Sequence, residues 1–158
     1  MTRTLIYMQF GDLAGMVEAL VERESAIVQD GLERALLRLP RNLSPVDAAI
    51  AAARVMLEEA DAAPVSWQIL VTPPEGGPPE LHDANADGRE LCRRFLAELI
   101  GRVTDGMPDP VLTTDLLYLI GDELVRLHLA DPREYPTERL LDQVGFLVGA
   151  LARAAQSA

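Results

Sequence analysis

Residues 13–39 read LAGMVEALVERESAIVQDGLERALLRL, and this stretch decides the fold. Leu13, Val17, Leu20, Val28, Leu32, Leu36 and Leu39 recur at steps of three and four, the period of one face of a helix. Pro40 stops the pattern because it offers no N–H and its ring blocks the preceding turn. Gly31 is a candidate kink within this long helix. Next comes Ser44-Pro45-Val46-Asp47, a helix start: Ser44 is the N-cap, Pro45 takes the first helical position and Asp47 stands at capping-box spacing. Val46, Ile50, Ala53 and Leu57 form the stripe of this second helix, and Asp61-Ala62-Ala63-Pro64 ends it.

Val65, Trp67, Ile69 and Val71 alternate as in a strand. No other segment offers a partner strand, so 65–71 is read as a short helix. Residues 72–79 hold four prolines and two glycines, a surface loop. Leu81 to Val103 is helical, with Leu91, Phe95, Leu99 and Val103 on one side. Gly106 to Pro110 breaks the chain. Val111 to Ala130 and Thr137 to Ala155 are the last two helices, and the short connection Asp131–Pro136 predicts that they pack antiparallel. The expected fold is an all-α, antiparallel helical bundle of one domain's size, 158 residues.

Composition agrees and excludes several function classes. The apolar residues are nearly all Leu, Ala, Val and Ile, which favours helices. A net charge of −11 opposes the phosphate backbone of nucleic acid, so the chain taken whole is a poor DNA binder. Cys92 is the single cysteine, which rules out an internal disulfide and a thiolate metal cage. No apolar run approaches the ~20 residues that span a bilayer, and no signal peptide opens the chain, so a cytoplasmic protein is expected. His82 beside Asp83 and Asp87 reads as a solvated helix start, and His128 has no second His or Cys at ligand spacing. Glu58-Glu59 and Asp122-Glu123 read as exposed faces. No nucleophile stands with a base and no phosphate loop is present, so neither enzyme activity, metal nor cofactor is expected.

The segment Thr2-Arg3-Thr4-Leu5-Ile6-Tyr7-Met8-Gln9-Phe10-Gly11-Asp12 resembles the recognition helix and following turn of TetR-family transcription regulators. Thr2 takes the N-cap place, Ile6 and Phe10 the core places, and Tyr7 that of a phosphate-contacting Tyr. The long connector helix, the proline-containing loop before a Trp segment and the two final helices also suit the family. Gln9 stands where His is usual, and Leu13 where many members carry a phosphate-contacting Lys. The two helices that precede the recognition helix in the family are missing, and the expectation is that an upstream reading frame encodes them. Residues 1–12 are accordingly a remnant of a helix-turn-helix, and 13–158 a ligand-binding and dimerisation domain.

The resemblance implies three sets of site residues. Thr2, Arg3, Thr4, Tyr7 and Gln9 are the DNA-contact candidates: Thr and Tyr suit phosphate, Arg suits guanine and Gln suits adenine. Met16, Leu20, Met56, Trp67, Leu70, Phe95, Leu99 and Tyr118 are candidates for the wall of a pocket that takes a small, largely apolar effector. Leu116, Ile120, Gly121, Leu124, Val144, Gly145, Val148 and Gly149 are candidates for a homodimer interface of four helices, two from each subunit. The implied function is a ligand-responsive transcription repressor. The alternative is a DNA-free helical module that binds a small molecule or a partner protein and dimerises, which the net acidity favours for these 158 residues.

Overall fold

A small polar side chain followed by proline marks two of the helix starts. In the computed structural model, which describes residues 13–40, 42–71, 86–101 and 108–157, Ser44 precedes helix Pro45–Ala62 in extended backbone. Its Oγ accepts from Asp47 N at 3.1 Å and donates to Asp47 Oδ2 at 2.6 Å. Asp109 does the same for Pro110–Ala130, accepting from Leu112 N at 2.9 Å. Proline at the first helical position removes an N–H that would have no partner inside the helix. The Asp109-Pro110 pair therefore starts the helix one residue before Val111, within what the sequence presents as a break.

The described helices are α1 Leu13–Leu36, α2 Pro45–Ala62, α3 Pro64–Val71, α4 Ala86–Ile100, α5 Pro110–Ala130 and α6 Thr137–Gln156. No strand occurs among the described residues, so the fold is an all-α bundle. The alternating segment around Trp67 is helical; Trp67 N donates to Ala63 O at 3.1 Å and the ring is buried. Helix α1 ends at Leu36 rather than Leu39. Arg38 and Leu39 donate to Ala35 and Leu36, i to i−3 bonds that tighten the last turn ahead of Pro40. Residues 81–85 and Val103, expected at the ends of the fourth helix, lie outside the described residues.

The core collects one or more side chains from each helix: Val28 and Leu32 of α1, Ala53 and Leu57 of α2, Trp67 of α3, Leu99 of α4, Val125 of α5 and Leu140, Leu141 and Val144 of α6. On α1 the buried line runs through Val21, Glu24, Val28 and Leu32, whereas Leu20 and Ile27, one position round the helix, face outward. Glu24 is a buried carboxylate. It accepts from Ser66 Oγ at 2.5 Å and pairs with Arg23, which ties α1 to α3. The Ser66 bond, then the Arg23 bond, hold its carboxyl below the usual carboxylate range against the opposing effect of burial.

Helix α6 lies along α2, not along α5. Arg54 of α2 pairs with Glu138 at 2.8 Å, and Ile50, one turn earlier, meets Gly145, two turns later. The two helices therefore run antiparallel. The short α5–α6 connection predicts that these two pair closely, but their contact is marginal beside that of α2 with α6. The physical reason lies in the small residues: Gly145 lets α6 approach Ile50 on α2, where any Cβ would stand 3.1 Å from Ile50 Cδ1. The connection itself is pinned. Buried His128 on α5 bonds Tyr135 O through Nδ1 at 3.0 Å and faces Asp61 Oδ1 of α2 through Nε2 at 2.9 Å. Since a carbonyl only accepts, Nδ1 is the donor there.

Candidate ligand-binding cavity

Small side chains on facing helices leave the space that forms the site. Ala49, Ala52 and Ala53 of α2 follow one another at helical spacing, and Gly121 of α5 faces Met56 of α2, whose Cε is 3.5 Å from where a Cβ would stand. Around them is a cavity of about 80 Å³. Leu32 and Leu36 of α1 wall one side, and Cys92, Phe95, Leu96 and Leu99 of α4 wall another. Leu117, Tyr118, Ile120, Leu124 and Val125 of α5 and Val144, Leu147 and Val148 of α6 complete it. The polar side-chain groups of this lining are the Tyr118 hydroxyl and the Cys92 thiol. Burial pushes that thiol up to about 12, with Asp122 adding to the rise, so it is a neutral part of the wall at ordinary pH.

An open groove of about 440 Å³ adjoins the cavity. Leu36, Phe95 and Leu99 line both spaces, so they form the partition. The far side of the groove carries Leu37, Leu39 and Pro40 from the end of α1, and its charged residues are Glu33, Arg94 and Glu98. On the opposite side of α4, Arg93 lies over the Tyr118 ring, 5.4 Å from its centroid, and pairs with Asp115 at 3.0 Å. That arrangement holds the aromatic wall of the cavity in place from outside.

Of the pocket candidates, Met56, Phe95, Leu99 and Tyr118 converge on the cavity. Met16 is half-buried and Leu20 exposed near the start of α1, and neither lines it. Trp67 fills the core and Leu70 packs against that core; both are away from the cavity. Several dimer candidates face inward. Ile120, Gly121, Leu124, Val144 and Val148 are cavity wall, Gly145 meets Ile50, and Gly149 is buried within the chain. Leu116 is half exposed, and Ile120 reaches both the cavity and the surface. The outward apolar surface of the last two helices is carried by Val111, Leu112, Leu116 and Leu119 of α5 with Phe146 and Leu151 of α6.

Sequence reasoning took Leu32 and Leu36 for ordinary stripe residues and singled out neither Leu117 nor Leu147. The available signal was the run of alanines on α2 together with Gly121: small residues on facing helices mark a space as surely as large ones mark a wall. Thr2, Arg3, Thr4, Tyr7, Gln9 and His82 lie outside the described residues. Among the described residues no group of three His, Cys, Asp or Glu is placed to hold a metal ion, and no helix is long and apolar enough to cross a membrane. No protein-family model matches the chain, and no curated protein or solved structure matches it either.

Proposed function

We propose that this chain is the ligand-binding and dimerising part of a TetR-type transcription regulator, acting as a repressor that a small apolar effector releases. The observation that carries the reading is the apolar cavity, of which the long helix α1 supplies one wall through Leu32 and Leu36. Helix α1 follows directly on residues 2–12, the segment with the resemblance to a recognition helix. A ligand that fits the cavity only when α1 shifts away from α4 has different affinities for the two positions of α1, and that difference is what moves a switch. The reading is of a binding protein and not an enzyme: the lining is apolar apart from the Tyr118 hydroxyl and a neutral Cys92 thiol. It requires no cofactor. The chain works in the cytoplasm, as a homodimer that uses the apolar surface of α5 and α6.

Thermal unfolding with a panel of small uncharged apolar molecules tests the cavity. A ligand at a hundred times its Kd stabilises by about 2.7 kcal/mol, a readily measured rise in Tm. Ala52→Leu, which fills the cavity from α2, should abolish the response. A panel in which no compound raises the Tm of the wild type overturns the reading. Net charge −11 favours the second reading, a DNA-free ligand-binding module. An electrophoretic shift assay with DNA upstream of the gene, run on this chain and on any longer reading frame, separates the two. Ligand binding with no shift in either form selects the module.

A further inference from the structure

An apolar cavity that holds benzene measures about 150 Å³, and the one here is about 80 Å³. A compact ring molecule therefore enters only if one wall yields, and the walls differ in what stands behind them. Behind Leu36, Phe95 and Leu99 is the groove of about 440 Å³. Resting on the reading of the cavity as a ligand site, we infer that this partition is its specificity-determining wall and sorts uncharged apolar ligands by size. Molecules smaller than benzene bind with the partition closed. Compact rings of benzene's size bind by pushing Leu36 into the groove, and these are the ligands that act on α1.

The other walls resist. On α2 the lining is Ala49, Ala52 and Ala53, whose methyl groups have no rotamer to change. Helix α6 seats on α2 through Gly145 against Ile50 and through the Arg54–Glu138 pair. On α5, Val125 is fully buried and the Tyr118 ring is held from outside by Arg93. Ile120 reaches the surface, but its branched Cβ strongly favours one rotamer within a helix, and turning outward carries the side chain into water. Leu36 differs on both counts. It is the last residue of α1, where the helical ladder gives way to the i to i−3 bonds of Arg38 and Leu39. Its Cβ is unbranched, so its rotamers are less restricted. The groove that receives it offers Leu39, Pro40 and Ala48, with Glu33, Arg94 and Glu98 as the charged part of that lining. Leu36 thus leaves the cavity without leaving apolar neighbours.

Methyl NMR titrations with benzene and with dichloromethane, a smaller uncharged molecule, test this on the Leu124 and Val125 signals of the cavity wall. Both probes are expected to bind the wild type. Ala48→Leu puts bulk into the groove, since Ala48 lines the groove and not the cavity. It should weaken benzene about tenfold or more, the scale of forcing a side chain into occupied space. Dichloromethane affinity should stay unchanged, which also reports that the variant is folded. Leu36→Ala removes the side chain that has to move. Benzene should then bind about three- to tenfold tighter, the scale of holding one side chain off its favoured rotamer, with dichloromethane little changed. Benzene that binds equally well to wild type and Ala48→Leu overturns the inference and moves the yielding wall elsewhere. Dichloromethane binding with benzene excluded overturns it too, and in both cases the cavity remains a ligand site. Should Ala48→Leu fail to fold, Leu36→Ala carries the test, and no gain in benzene affinity overturns the inference. Failure of both probes to bind the wild type overturns the ligand-site reading itself.

Discussion

Cys92 sits where a thiolate is costly. Its sulfur lines an apolar cavity, Asp122 adds a repelling charge, and the thiol is pushed up to about 12. At pH 8 roughly one such thiol in ten thousand is ionised, against about a quarter for a free cysteine. Alkylation by iodoacetamide at pH 8 should therefore be at least ~100-fold slower in the native protein than in urea. Equal rates, followed by mass spectrometry, would show that Cys92 is not in the wall where we place it. Glu24 is perturbed the opposite way. The Ser66 hydroxyl, and after it Arg23, hold its carboxyl below the ordinary value of 4.5. A group depressed on folding adds stability above its unfolded pKa and loses it as pH falls through the folded one. Glu24→Gln should thus be less stable than wild type at pH 7, and the gap should narrow as pH drops below about 4.5. Denaturant melts of both proteins at pH 7, 5 and 3 check this; a gap that stays constant across that range counts against it.

At the scale of the element, glycines within helices separate two kinds of packing. Gly121 on α5 and Gly145 on α6 each forgo up to ~1 kcal/mol of helix propensity relative to alanine. At Gly121 an added Cβ meets Met56 Cε at 3.5 Å, an ordinary contact with a flexible tip. At Gly145 it meets Ile50 Cδ1 at 3.1 Å, on the line where α6 seats against α2. Gly121→Ala is therefore expected to stabilise by up to ~1 kcal/mol, and Gly145→Ala to gain less or to lose. Chemical denaturation of the two variants should rank them in that order; the reverse order would place α6 elsewhere. These two positions also show what the sequence conveyed about elements. Periodicity located α1 and α5 to within a few residues, and the Ser44-Pro45 cap located the start of α2, because a cap is a local event; Asp109-Pro110, which the sequence presents as a break, is a second such cap. Pairing was less legible. Glycines one turn apart on α6 say that something comes close, but not whether it is α2, α5 or another subunit, and a six-residue connection permits α6 to swing from α5 onto α2.

For the whole molecule, the cavity was legible where large side chains mark it and illegible where small ones do. Met56, Phe95 and Tyr118 are scarce types that draw notice, and they line it; Trp67 is equally scarce and simply fills the core. Residue type gives the capacity to line a pocket, while direction depends on the tertiary arrangement, which no local pattern fixes. The same holds for the surface that a second copy would cover. Val144 is buried and Gly145 seats against Ile50, so substitutions at these two act on packing within the chain before they report on association. What remains exposed is a row along α5, with Leu112 at 54%, Leu116 at 52% and Leu119 at 59%, and Phe146 on α6 at 64%. Leu112, Leu116 and Leu119 stand at helical spacing as an exposed apolar stripe of the kind that marks an interaction site in proteins that stay dispersed, and a net charge of −11 resists random association while tolerating an apolar interface. Wild-type protein should therefore run as a dimer in light scattering at micromolar concentration. Leu116→Glu with Phe146→Glu should give a monomer that keeps the helical circular dichroism of the parent, since both side chains are outside the core. A dimer that survives this double substitution places the interface on another face. A monomeric wild type removes α5 and α6 from association altogether and leaves their exposed leucines for a different partner.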